Sequence, residues 1–178
     1  AGNAVANDVT SLFYNPAKLA NAEGSEIMFM HNEWIQDVRS EVLGVRSDIF
    51  GIPLAFGFNV SSVSDIEVYG NTPGPALSKF NANFFFGSIS TGFNLTDDIS
   101  TGVSIKYIYE GIYVDEANGY AFDIGVNYKT VYDGLIIAGV IRNLGSMNNL
   151  RNEATKLPVE FRLGPAYSFG LEESKLNF

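Results

Sequence analysis

From about Glu26 onward, hydrophobic residues recur at every second position. Between Tyr120 and Tyr128 the even positions are Tyr120, Phe122, Ile124, Val126 and Tyr128, and the odd ones are Ala121, Asp123, Gly125 and Asn127. One face is wholly apolar and the other small or polar, which is the mark of an extended strand whose side chains alternate across the backbone. Ile99 to Tyr113 repeats it, with Val103, Ile105, Tyr107 and Tyr109 set against Ser104, Lys106 and Glu110. Phe161, Leu163, Pro165, Tyr167 and Phe169 alternate with Glu160, Arg162, Gly164 and Ala166, and Ile52 to Ser61 behaves alike. The alternation predicts strands over 26–36, 39–49, 52–61, 80–95, 99–113, 119–129, 134–142 and 158–170, with another opening at Leu176. Residues 1–25 lack it. There Asp8 to Tyr14 suits one or two helical turns capped by Asn7 or Asp8. Asn15-Pro16-Ala17 ends them, because a residue before proline is pushed out of the helical region.

These strands are longer than the ~5–6 residues usual in soluble sheets and near the ~9–11 that cross a bilayer at a tilt. Their polar face is rich in Gly, Ala, Ser and Asn with isolated charges, a mixture suited to a barrel lumen. The charged or polar residues expected to face that lumen are Lys106, Glu110, Asp123, Lys129, Arg142, Glu160 and Arg162. A charge facing lipid at mid-membrane would cost roughly 2–4 kcal/mol. These seven could form a lumenal network that binds a plug or filters solutes, though mutual neutralisation inside is the simpler role, and Asp123→Asn is expected to be mild. Tyr107, Tyr109, Tyr120, Tyr128, Phe161 and Phe169 stand toward strand ends, as an aromatic girdle at the membrane interfaces would. Short connections at 50–51, 96–98 and 130–133 alternate with longer ones at 62–79, 114–118 and 143–157, the asymmetry of outer-membrane barrels. The long loops would then be extracellular and the N-terminus periplasmic. Asn71, Pro73, Asn148, Asn149 and Arg151 mark where a partner would dock.

The 178 residues carry 11 Lys+Arg against 20 Asp+Glu, a net charge of −9, which argues against nucleic acid as a partner. Only 17% are charged while 46% are hydrophobic, so disorder is excluded. No apolar run approaches the ~20 residues of a membrane-crossing helix. The start has neither the basic nor the long apolar region of a signal peptide, so an exported protein would be read here in mature or trimmed form.

Chemistry is sparse. Cysteine is absent, and His31 is the only imidazole, with no nucleophile elbow in the chain. No catalytic residue, metal ligand or cofactor is assigned, and His31 is expected to be structural, beside Trp34. Asp97-Asp98 and Asp115-Glu116 lack the alternating oxygen spacing of a calcium loop and read as turns.

Gly2-Asn-Ala-Val-Ala-Asn-Asp-Val-Thr-Ser-Leu-Phe-Tyr-Asn-Pro-Ala17, followed by Leu19-Ala20, resembles the opening of FadL-like outer-membrane barrels. His31-Asn-Glu-Trp-Ile-Gln-Asp37, Asn143-Leu-Gly145, Leu157-Pro158 and Phe161-Arg-Leu-Gly164 are similar to the PorV/PorQ-like branch. Lys18 departs from the pattern, since Gly usually follows Asn-Pro-Ala. The resemblance implies an all-β fold, an antiparallel transmembrane β-barrel. Residues 1–25 would form a hatch-like plug around Asn15, Pro16 and Ala17, and 26–178 about eight strands and the start of a ninth. Because those barrels resemble closed structures of about fourteen strands, the chain is expected to be a piece of a longer one. The resemblance further implies a non-enzymatic protein of the Gram-negative outer membrane, in contact with its lipid. It would work with a type IX-like secretion apparatus and bind secreted cargo or companion subunits. A FadL-like passive transporter of hydrophobic small molecules and a soluble all-β binding module are the alternatives.

Overall fold

The computed structural model describes residues 7–35, 38–150, 153–154, 156–171 and 174–177, with backbone alone for 153–154, 169–171 and 174–177. A four-residue helix α1 (Ser11–Tyr14) and a 3-10 helix (Pro16–Asn21) precede the strands. These are β1 (Glu26–Trp34), β2 (Val38–Ile49), β3 (Ile52–Val68), β4 (Ser78–Asn94), β5 (Ile99–Ile112), β6 (Asp115–Lys129), β7 (Leu135–Met147), β8 (Asn149–Leu150), β9 (Glu153–Ala154), β10 (Glu160–Leu171) and β11 (Ser174–Asn177). The fold is all-β. Strands β1 to β7 and then β10 pair in chain order as one antiparallel sheet, which β11 extends, while β8 and β9 form a separate small ladder. Among the described residues β1 and β11 are the free edges, so the sheet is open.

Several strands outrun the alternation that marks them. β3 continues to Val68 past a register shift between Val63 and Ile66, with Asp65 at φ 57°. β6 begins at Asp115, which shrinks the expected 114–118 connection to a turn at 113–114 with Tyr113 at φ 59°. β7 runs on to Met147 through a second shift opposite Asp123, where Asn143 has φ 59°. A bulge inserts an extra residue and reverses the facing beyond it, so the period-two signal fails there while the pairing goes on.

The sheet is inverted relative to a soluble one. Along β6, Tyr120, Phe122, Ile124 and Val126 are 61, 49, 45 and 43% exposed, whereas Ala117 and Ala121 are at 0% and Asp123 at 1%. The small, polar face is the covered one, and residues 9–22 lie against it, over Gly44, Gly57, Gly92, Gly102 and Gly125. The backbone N–H of Val9 donates to Glu26 on β1, and Asn15 Nδ2 donates to Gly139 O near mid-β7. Laid flat, β1 to β7 would spread roughly 29 Å at the usual strand spacing. The backbone from Val9 to Asn15 reaches at most ~21 Å when fully extended, and α1 folds four of its residues into one turn. The side chains of Glu26 and Asn15 together with the curvature of the sheet close the remaining gap. The sheet therefore curls around the segment, with its apolar face convex.

Candidate functional site

The concave face and the segment seated on it form the site. Asn15 holds the seat. Its backbone is extended (φ −155°), its Oδ1 accepts from Ala17 N at 3.1 Å, and its Nδ2 donates to Asn127 Oδ1 at 3.2 Å. Pro16 opens the 3-10 helix, where its missing N–H costs nothing. Beneath lie Gly92, Gly102 and Gly125, direct register partners across β4, β5 and β6. A Cβ on Gly92 would meet Ala20 N at 2.5 Å, one on Gly102 would meet Pro16 C at 2.3 Å, and one on Gly125 would meet Asn15 Oδ1 at 1.9 Å. Glycine in a strand often marks close approach of another backbone. Here a row of three makes a trough into which Asn15-Pro16-Ala17 fits.

Apolar anchors flank the trough. Leu12 and Leu19 are 1% and 0% exposed, and Val9, Leu12 and Leu19 cluster with Ala55, with Phe13 and Met28 packed against them. At the far end Arg46, 1% exposed, donates to the carbonyls of Ala22 and Gly24 and pairs with Asp48 at 2.9 Å. Arg46 was not among the expected site residues, because the carbonyls it holds lie on the chain before β1 and leave no local pattern.

Beyond the seat lies a charge network. Lys106 Nζ is 2.6 Å from Asp123 Oδ2 and 3.0 Å from Asn143 Oδ1, while Asn143 N donates to Asp123 Oδ1 at 2.9 Å. The bulge at Asn143 makes this possible by turning a backbone N–H toward the carboxylate. Arg142 Nη1 stands 3.6 Å from Glu160, which Arg162 grips at 2.7 Å. Three cations thus meet two carboxylates. Glu110 supplies a third, on the wall of a cavity of about 290 Å³ that Lys106, Arg142, Leu12, Phe13 and Phe86 also line. Of the seven charges expected on this face, these six lie together. Lys129 stands apart at the end of β6, beside Lys18, whose ammonium is held below its ordinary pKa by burial first and by Lys129 second.

On the convex face Tyr107 and Tyr120 are register partners with ring centroids 5.5 Å apart, and Tyr128 lies at the opposite end, paired with Ile99. Tyr109 neighbours Tyr107 on that face, opposite Asn118. Phe161 pairs with Ile141 and thence with Ile124, which puts it level with mid-strand rather than with either tyrosine row. The Phe169 side chain and Arg151 lie outside the described residues. Asn71 and Pro73 are exposed in the 69–77 connection, while Asn148 is tied down, its Oδ1 accepting from Asn118 N at 2.6 Å, and Asn149 lies in β8. His31 stands 3.4 Å from Glu41 on β2. Trp34 is three residues on, and strand alternation sets it on the other face, so His31 is not packed beside it. Among the described residues no three His, Cys, Asp or Glu side chains cluster as metal ligands, and no helix is long and apolar enough to cross a membrane.

No family model, curated protein or solved structure matches the chain.

Proposed function

We propose that this chain forms part of an integral outer-membrane β-barrel, PorV/PorQ-like and non-enzymatic, that serves a type IX-like protein secretion system. Residues 7–22 are its plug, and secreted cargo or companion subunits bind at the loop end. The observation that carries this reading is the inverted sheet, with Ile124 and its neighbours outward while Asp123, at 1% exposure, is covered. A water-soluble protein rarely leaves so continuous an apolar face bare, and lipid is the solvent that suits it. Strands of 13 to 17 residues from β3 to β7 are long enough to cross and extend beyond the bilayer. The connections at 69–77 and 148–159, on the edge opposite the turns at 50–51, 95–98 and 130–134, would face outward from the cell.

A second reading, the FadL-like passive transporter, is favoured by the cavity of about 290 Å³, where aromatic walls meet Lys106 and Arg142 as an amphipathic molecule would require. Purifying the full-length protein in mild detergent separates the readings. Secreted proteins or barrel subunits that co-purify support the first, and a bound lipid or fatty acid supports the second. A protein that stays folded and monodisperse with no detergent refutes both and leaves the soluble binding module.

A further inference from the structure

Where the 3-10 helix meets the ends of β5 and β6 there is a small cavity of about 150 Å³, lined by Asn7, Lys18, Asn21, Ser100, Asn127 and Lys129, with Ile136 as its one apolar wall. We propose that it binds a small dianionic oxyanion, inorganic phosphate or a phosphate monoester.

The reasoning starts from charge. Lys18 is 4% exposed, and a buried ammonium is retained only where something compensates it. Among the described residues no carboxylate pairs with Lys18 or Lys129. Instead the two cations act on each other, and Lys129 adds to the burial that weakens the hold of Lys18 on its proton. Two positive charges at one pocket are balanced by one dianion, and lysine binds phosphate as a point charge.

Hydrogen-bonding capacity points the same way. Asn127 is 4% exposed, and its Oδ1 is taken by Asn15, yet its Nδ2 has no partner among the described residues. A buried donor left unmade costs about 1–3 kcal/mol. Asn21 and Ser100 touch only at 3.4 Å, so both have capacity to spare. The lining therefore offers two ammonium groups, three amides and a hydroxyl, a donor set for an oxyanion and the wrong one for a metal ion. The volume admits one tetrahedral anion with a water or two, at about 30 Å³ per water. Because Lys18 rides on the seated segment and Lys129 on the sheet, the anion would bridge the two and hold the segment down. None of this depends on whether the convex face meets lipid.

The test is a titration of the full-length folded protein, in a maltoside detergent without phosphate, with inorganic phosphate replacing chloride at fixed ionic strength. The expected result is a saturable rise in melting temperature that chloride does not give. Lys129→Gln, at an exposed strand end, should weaken the apparent affinity tenfold or more, and Asn127→Asp should abolish it. Glycerol 3-phosphate run in parallel identifies the source: tighter binding than phosphate assigns the site to a lipid headgroup, and equal or weaker binding to a free ion. No saturable effect on the wild-type protein, or an undiminished one in a folded Lys129→Gln variant, overturns the proposal.

Discussion

Replacing Gly102 by alanine probes how the N-terminal segment is held. The added Cβ would lie 2.3 Å from Pro16 C, 2.4 Å from Pro16 O and 2.5 Å from Ala17 N. All three are backbone atoms of a segment pinned at one end by Asn15 and at the other by Arg46, so no side-chain rotation relieves the contact. Overpacking of this kind costs roughly 1–3 kcal/mol, which is about a fivefold to 150-fold shift in the ratio of seated to unseated segment. Three simultaneous contacts argue for the upper end. Trypsin reads the shift directly, because Lys18 is 4% exposed when seated and becomes a cleavage site when the segment lifts. Where opening is fast relative to cleavage, the rate follows the open population. Cleavage after Lys18 should therefore accelerate by one to two orders of magnitude in Gly102→Ala. The sheet itself should persist, since its ladders do not pass through the segment. Gly164→Ala is the control, for a Cβ there meets nothing within 4 Å. Wild-type protection of Lys18 in a folded Gly102→Ala protein would show that the glycine row is not what seats the segment.

Three further outcomes are expected. Ile124→Arg places a charge on the convex face, and if lipid covers that face, assembly into bilayers should fail at a cost of roughly 2–4 kcal/mol; detergent-independent folding at normal yield would refute a lipid contact. Asp123→Asn is not the mild change its strand position implies, because Asp123 is 1% exposed and holds Lys106 at 2.6 Å. Leaving that lysine unpaired should destabilise by about 3–5 kcal/mol in denaturant melts, with much of the loss recovered in the Asp123→Asn, Lys106→Met double variant. The third outcome concerns pH in phosphate-free buffer. Lys18 has a folded-state pKa below 10.5, from burial and from Lys129, the one charged group acting on it among the described residues. The unfolded chain therefore binds the extra proton between the lowered value and 10.5, and stability should rise with pH across that window. Lys18→Gln should flatten that slope in denaturant midpoints, and an unchanged slope would remove Lys18 as its source.

The sequence by itself determined the strands and the two faces. Side-chain alternation is a local property, so Tyr120 to Tyr128 declares one apolar and one polar side whatever lies around it. It also set the N-terminal segment apart, since Pro16 breaks the helical turns that begin near Asp8 and no alternation precedes Glu26. Strand ends were less legible. Asp115 to Asn118 and Asn143 to Gly145 carry the residues of turns, yet both are strand, because backbone pairing with β5, and with β6 across a bulge, continues where side-chain periodicity fails.

Tertiary structure alone decided what the polar face is for. Gly92, Gly102 and Gly125 are unremarkable small residues in three separate strands, and only the register between those strands lines them up as a seat. Asn15 and Asn127 are 112 residues apart, and the bond between them exists because the sheet curls. Lys18 stands as a single departure in a short motif until folding sets it against Lys129 and an unpartnered amide. The physical reason is common to all three. Alternation records which side of a strand is polar, but neither the pairing of strands nor the path of the segment laid over them is written in any one strand's own residues.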